Sequence, residues 1–281
     1  MADNPEFEID LFSGGAAQSG YHIRNAPNEE QRRVLTQYGS TRVVKGKLLD
    51  VVHGFLKPNR EPATLIVSEF KFLGSTRENR FVKANIKWKF AYEDMNSDET
   101  PEVHKVSFEE QWVMDTTKIS EAKECSMRGG LDGGASGVSA NISSGRTISE
   151  NFESTDNIVL YGSSIFTKDH QFGQPNAAQW IMNENKTDRS GIPDSLTTAI
   201  LVKRIPDKSF VGVIEVRVET VLNTKTKVAE WFGKKPKVDP VKFNPTLPAL
   251  IDKYVRFKDQ LDGIVLEDIQ AVRHHISLPT A

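Results

Sequence analysis

The chain has one cysteine, Cys125, in 281 residues. A lone thiol excludes an internal disulfide framework and agrees with a reducing compartment. No apolar run approaches the roughly 20 residues needed for a membrane-crossing helix. Neither charge is in excess: 36 Lys and Arg stand against 38 Asp and Glu, for a formal charge of −2. No global field therefore draws the chain to phosphate backbones or acidic lipid. The opening Met1-Ala2-Asp3-Asn4-Pro5-Glu6 has neither the basic nor the apolar region of a secretory leader, so the expected location is cytoplasmic. The sequence also lacks a GxSxG elbow and an HExxH pair, the compact signatures of hydrolase and zinc-protease chemistry. No fixed-period repeat points to a propeller or solenoid.

What the chain has is alternation. In 80–92, Val82, Ala84, Ile86, Trp88, Phe90 and Tyr92 alternate with Lys83, Asn85, Lys87 and Lys89, the pattern of a strand with one wet face. In 64–72 the set Thr64, Ile66, Ser68, Phe70 and Phe72 opposes Leu65, Val67, Glu69 and Lys71. Both sets are apolar near the start, which marks a central strand. An acidic, proline-ended loop spans 93–101, and Val106, Phe108, Trp112 and Met114 then share one side. Further strands are read at 138–152, 158–161, 177–182, 198–202 and 210–222. The expected fold is a mainly β, antiparallel β-sandwich over 41–222.

The flanks read differently. Residues 1–40 form an arm with one short helix, capped by Asn28, boxed by Gln31 and stopped at Gly39. A second short helix is expected at 116–127. Residues 223–281 form a Lys-rich linker and then a packed C-terminal helix through Leu247, Leu250, Ile251, Tyr254 and Leu261, ending near Gly263.

The segments 64–72, 80–86 and 180–185, with Ser190-Gly191-Ile192-Pro193 and Leu201-Val202-Lys203-Arg204, resemble a family of intracellular all-β proteins of filamentous fungi. The resemblance covers about residues 40–245. It implies a fungal, cytosolic, all-β protein, and carries no activity, cofactor or functional residue with it.

Chemistry-bearing residues are dispersed. His22, His53, His104 and His170 are far apart in sequence, and the adjacent His274 and His275 would point to opposite faces of a strand, so no metal site is expected. Cys125 has no activating base nearby, and Arg128 to Ala135 reads as a mobile glycine-rich hairpin loop rather than a phosphate cradle. No cofactor is implied. Glu110 interrupts the apolar side of Val106, Phe108 and Trp112, which marks a sheet rim or, as the alternative, a buried functional acid, and it is the first catalytic candidate. Trp88, Trp112 and Trp180 fall on apolar strand positions, which suits core packing or the lining of an apolar ligand cavity.

Two further readings concern surfaces. The cluster Lys225, Lys227, Lys234, Lys235 and Lys237 around Trp231 and Phe232 reads as a solvated linker, since no recognition motif for nucleic acid accompanies it. The Ser-rich 135–163 region admits a glycine-hinged hairpin able to refold into a transmembrane barrel, but Arg146 and Glu150 break its apolar face and favour a soluble hairpin. The first reading is thus a non-enzymatic cytosolic binding module for a protein or an apolar small molecule, with an edge strand open to homodimerisation. The alternatives are a cofactor-independent isomerase or cyclase working through Glu110 in an aromatic pocket, and a β-hairpin pore-former.

Overall fold

Strands that are apolar on one face must bury it, and here two sheets do so against each other. The structure, a computed structural model, describes residues 22–39, 42–58, 60–74, 80–93, 99–126, 147–170, 172–221 and 237–274. In chain order the strands are β1 (His22–Ile23), β2 (Val34–Tyr38), β3 (Arg42–Lys57), β4 (Arg60–Gly74), β5 (Phe81–Tyr92), β6 (Glu102–Val106), β7 (Glu110–Ser126), β8 (Thr147–Ile165), β9 (Ala177–Asn183), β10 (Ser195–Lys203), β11 (Phe210–Thr220), β12 (Lys237–Val238), β13 (Val241–Phe243) and β14 (Ala271–Arg273). One six-stranded sheet runs β14-β10-β4-β3-β2, with β6 also pairing β10. The other runs β13-β11-β5-β9-β8-β7. Among the described residues, the strand pairings within these two sheets are antiparallel, the short β1–β12 pair is parallel, and Glu109 makes an isolated parallel bridge to Gly162.

The facing sides of the two sheets make the main core. Leu35, Val44, Leu48, Val51, Ile66, Phe70 and Phe72 meet Ile86, Trp88, Phe90, Trp180, Phe210 and Phe243 there. The Trp88 indole stacks on Phe90 at a centroid distance of 5.8 Å, and Phe210 stacks on Phe243 at 4.9 Å. Gly212 sits under that cluster: a Cβ there would fall 2.7 Å from the Trp88 ring.

The double apolarity of 64–72 has its reason in a second core. β4 lies between β10 and β3. Its outer residues Ala63, Leu65 and Val67 are covered, with Val52, Leu56, Ala199 and Leu201, by Leu261, Ile264, Leu266 and Ile269 of the C-terminal segment. That segment is not the expected α-helix. It is a chain of 3-10 turns at Val255–Phe257, Leu261–Gly263 and Leu266–Asp268, short enough to follow the sheet surface while Asp252, Asp259 and Asp262 stay outward.

The expected N-terminal helix is also replaced. Asn28 and Gln31 have φ of 61° and 51°, values that end a right-handed helix, and Val34–Tyr38 instead pairs with β3. The β-propensity of Val34, Leu35, Thr36 and Tyr38, together with an available sheet edge, outweighs the capping signal. Residues 116–127 were expected as helix, yet β7 runs as strand to Ser126, paired throughout with β8. The strand readings at 41 onward, 64–72, 80–92, 177–182, 198–202 and 210–220 correspond to β3, β4, β5, β9, β10 and β11. The Lys cluster at 225–235, the glycine-rich loop and the pattern at 138–146 lie outside the described residues.

The close seat of the C-terminal segment gives a test. Phe55 N–H donates to Lys258 O at 2.7 Å, and a Cβ on Gly54 would meet the same oxygen at 1.9 Å. Gly54→Ala is therefore expected to unseat the segment and cost about 1–3 kcal/mol, read by chemical denaturation, with new proteolytic cleavage confined to 247–274.

Candidate functional site

The tryptophans do not gather around a cavity. Trp88 and Trp180 are fully buried within the main core, and Trp180 Nε1–H donates to Ser107 O at 2.8 Å. Trp112 is 41% exposed and stands edge-on to Phe108 at 5.6 Å. Glu110 begins β7 at a φ of 71°, exposed at the outer edge of its sheet rather than among the core aromatics. The positive φ of Phe108 and Glu110 explains this, because the strand pattern that set Glu110 inward breaks at that turn. Among the described residues no group of three or more His, Cys, Asp or Glu is placed to hold a metal ion. No helix of the described residues is long and apolar enough to cross a membrane.

Two features stand out instead. The first is a ribbon. β7 and β8 are 17 and 19 residues long, but β8 meets β9 only over Val159–Ile165. Beyond Val159 the two strands continue paired with each other alone, past a bulge after Met114, to Ser126↔Thr147. The register sets Ile119 opposite Ser154, Glu121 opposite Phe152, Lys123 opposite Glu150 and Cys125 opposite Ile148. The alternate pairs are Lys118 with Thr155, Ser120 with Glu153, Ala122 with Asn151 and Glu124 with Ser149.

The ribbon's base is pinned by one carboxylate. Asp156 Oδ2 accepts from Thr187 N–H at 2.8 Å and Thr187 Oγ1 at 3.1 Å, and Asn185 Nδ2 donates to Asp156 O. Slight burial pulls the Asp156 carboxyl up, but the hydrogen bonds from Thr187 and Asn157 outweigh it and hold the group below the usual carboxylate range. Asn185, fully buried, closes its own turn, its Oδ1 accepting from the Thr187 and Asp188 amides.

The second feature is an open pocket of about 490 Å³, lined by both charged and apolar groups, at the far end of the sandwich. It is lined by Glu61, Tyr92, Glu102, His170, Lys203 and Arg204 among others. These residues close β5 and β10, open β6 and follow β8, at the strand ends remote from the ribbon. Arg204 Nε donates to Thr64 Oγ1 at 3.1 Å and Nη1 to Ile205 O at 3.3 Å. Tyr92 OH accepts from Ile205 N–H at 2.8 Å, and Lys208 lies 4.4 Å over the Tyr92 ring. Lys203 pairs with Glu61 at 3.2 Å. No sequence signal marks this site, because its members come from five separate segments and none belongs to a motif.

Behind Arg204 runs a buried relay. His53 Nδ1 is 2.9 Å from Thr64 Oγ1, and its Nε2 is 3.1 Å from Gln31 Nε2. Burial, and secondarily the Arg204 charge, push the His53 pKa down to about 3. A neutral ring accepting at Nε2 from Gln31 donates at Nδ1 to Thr64, which thereby accepts from His53 and Arg204 together.

No protein-family model matches the sequence, and no curated protein matches it. Among solved structures the chain is similar to the NetB toxin of Clostridium perfringens in its membrane-inserted form, at 9% identity over 63% of this chain and 78% of that one, with a TM-score of 0.22. A likeness at that score carries no argument about fold or function.

The relay has a pH signature. His53 is neutral when folded and protonates near its ordinary value of about 6.5 when unfolded, so stability is full above that pH and declines as pH falls toward 3. Between pH 6.5 and 5 the loss should be about 2 kcal/mol. His53→Gln is expected to flatten that slope in urea titrations at the two pH values, while an unchanged slope would show His53 charging freely in the fold.

Proposed function

We propose that this is a β-sandwich protein that acts on membranes without covalent chemistry, its β7–β8 hairpin inserting into a bilayer as part of a closed multi-chain barrel. The observation that carries this reading is the ribbon that β7 and β8 form beyond the last β8–β9 pair, Val159↔Asn183. Two strands alone are marginal in water. In hydrocarbon they are viable only when every backbone group is paired, which closure with further hairpins supplies. Strands of 17 and 19 residues exceed the roughly 9–11 that a tilted strand needs to span.

The register is compatible with the same reading. Ile119, Cys125, Ile148 and Phe152 fall at one set of alternate register positions, together with Ser154, Glu121, Lys123 and Glu150, and the other set is Lys118, Ser120, Ala122, Glu124, Ser149, Asn151, Glu153 and Thr155. Glu150, which breaks the apolar side when the sequence is read alone, stands opposite Lys123 in register. Glu121 remains on that side with Lys123 two positions on. In the sequence between the two strands, Val138, Ala140 and Ile142 alternate with Ser139, Asn141 and Ser143, and Arg146 is the charge that follows.

The test is release of a self-quenched dye from lipid vesicles. The wild-type chain is expected to release it, either directly or after limited proteolysis. Ile148→Asp and Phe152→Asp should slow release by about tenfold or more, with thermal unfolding of the sandwich unchanged. Intact vesicles across neutral, anionic and sterol-containing compositions, or variants as active as wild type, would overturn the reading.

A further inference from the structure

The cavity at the sandwich end remote from the hairpin holds two charges of opposite sign that do not meet. Arg204 makes hydrogen bonds to Thr64 and Ile205 and feels the charge of Asp207, but among the described residues it makes no direct ion pair. Glu102 lines the same cavity and likewise has no ion pair or side-chain hydrogen bond there. Its register neighbour Lys203 is committed to Glu61. Both groups are half-buried; burial destabilises the Arg204 charge and Asp207 offsets that only in part, so its pKa stays lowered.

We propose that this cavity binds a small zwitterion, its anionic group held by Arg204 and its ammonium group by Glu102. A ligand carrying both charges completes both residues at once, whereas a lone anion meets the repulsion of Glu102 and Glu99, and a lone cation that of Arg204. The volume of about 490 Å³ falls within the usual range of small-molecule sites and exceeds a single amino acid, so a short peptide with free ends is the simplest occupant.

The anion end is prepared in advance. Arg204 is fixed at Nε and Nη1 by Thr64 and Ile205, leaving Nη2 uncommitted among the described residues. Thr64 is itself held by the neutral His53, so no second cation competes behind the guanidinium. Between the two ends the Tyr92 hydroxyl feels both fields. Burial first raises its pKa, Glu99 and Glu102 raise it further, and Arg204 opposes them. The ring is already within cation range of Lys208. The inference is independent of the hairpin, which lies at the opposite end of the sheets.

Isothermal titration with triglycine, acetate and ethylammonium decides it. Triglycine is expected to bind saturably, and the two singly charged probes at least about tenfold more weakly, a difference of about 1.4 kcal/mol. Arg204→Gln and Glu102→Gln should each weaken triglycine by a similar factor, with the far-ultraviolet spectrum and melting curve of wild type. If Arg204→Gln disturbs folding, Arg204→Lys, which keeps the charge without the fork, should show the smaller loss. No saturable triglycine binding up to about 20 mM, acetate binding as tightly as triglycine, or variants indistinguishable from wild type would each overturn the proposal.

Discussion

Burial of β4 and β10 on both faces is the constraint on which the rest of the molecule depends. Leu65 and Leu201 point away from the main core, and Ile66 and Ile200 point into it. A sheet of this kind cannot end as the outer wall of a sandwich. The C-terminal segment meets that requirement, and polar contacts set its position: Ile251 N–H donates to the buried Asp50 at 3.0 Å, and His104 and Lys105 both reach Asp262. Burial raises the Asp50 carboxyl, opposed by the Ile251 and Val51 amides, so the segment also supplies a donor that a buried carboxylate needs. The main core can then be stacked tightly, with glycine at 212 where Trp88 leaves no room for a Cβ.

The second sheet has the opposite character. Its inner face packs in the main core, and among the described residues no further strand pairs with β7 at its outer edge. Val113 and Tyr161 are 47% and 43% exposed beside that edge. One sheet is therefore closed on both sides and rigid by packing, while the other leads into a ribbon supported by hydrogen bonds between two strands and a carboxylate clamp at Asp156. The cavity falls at the other end, where strand termini from both sheets converge and side chains are set by loop geometry rather than by the core. The two candidate sites thus occupy the two ends of one scaffold and share no residue.

Most strands were legible because their apolar residues keep a period of two for many residues, as Val82 to Tyr92 do. The helices expected at 28–38 and 116–127 failed for a common reason. Each carries a local helix signal, a cap at Asn28 or good helix formers such as Glu121, Ala122 and Lys123, but each also has a partner strand waiting, β3 in one case and β8 in the other. Local propensity is worth a few tenths of a kcal/mol per residue and yields to pairing. The C-terminal apolar spacing was real, yet the residues bind a flat sheet through successive short turns. Glu110 stands at the sheet rim, one of the two places its break in the alternation allows, and the positive φ of Phe108 and Glu110 that sets it there is not visible in the alternation. The cavity was invisible, since Tyr92, Glu102, His170 and Arg204 converge only through the sheet topology.

The order of the strands also governs how the chain must fold. β4 pairs with β3 next to it in sequence, but its other neighbour, β10, arrives more than a hundred residues later, and the cover over both comes last of all. Until then the β3–β4 hairpin presents apolar residues on two sides with one edge unpaired. Such pairing across long loops is slow, and uncovered edges of this type associate with one another. On the ribosome the early hairpin is thus a segment in need of shielding, and the distant carboxyl-terminal turns act as the step that covers it.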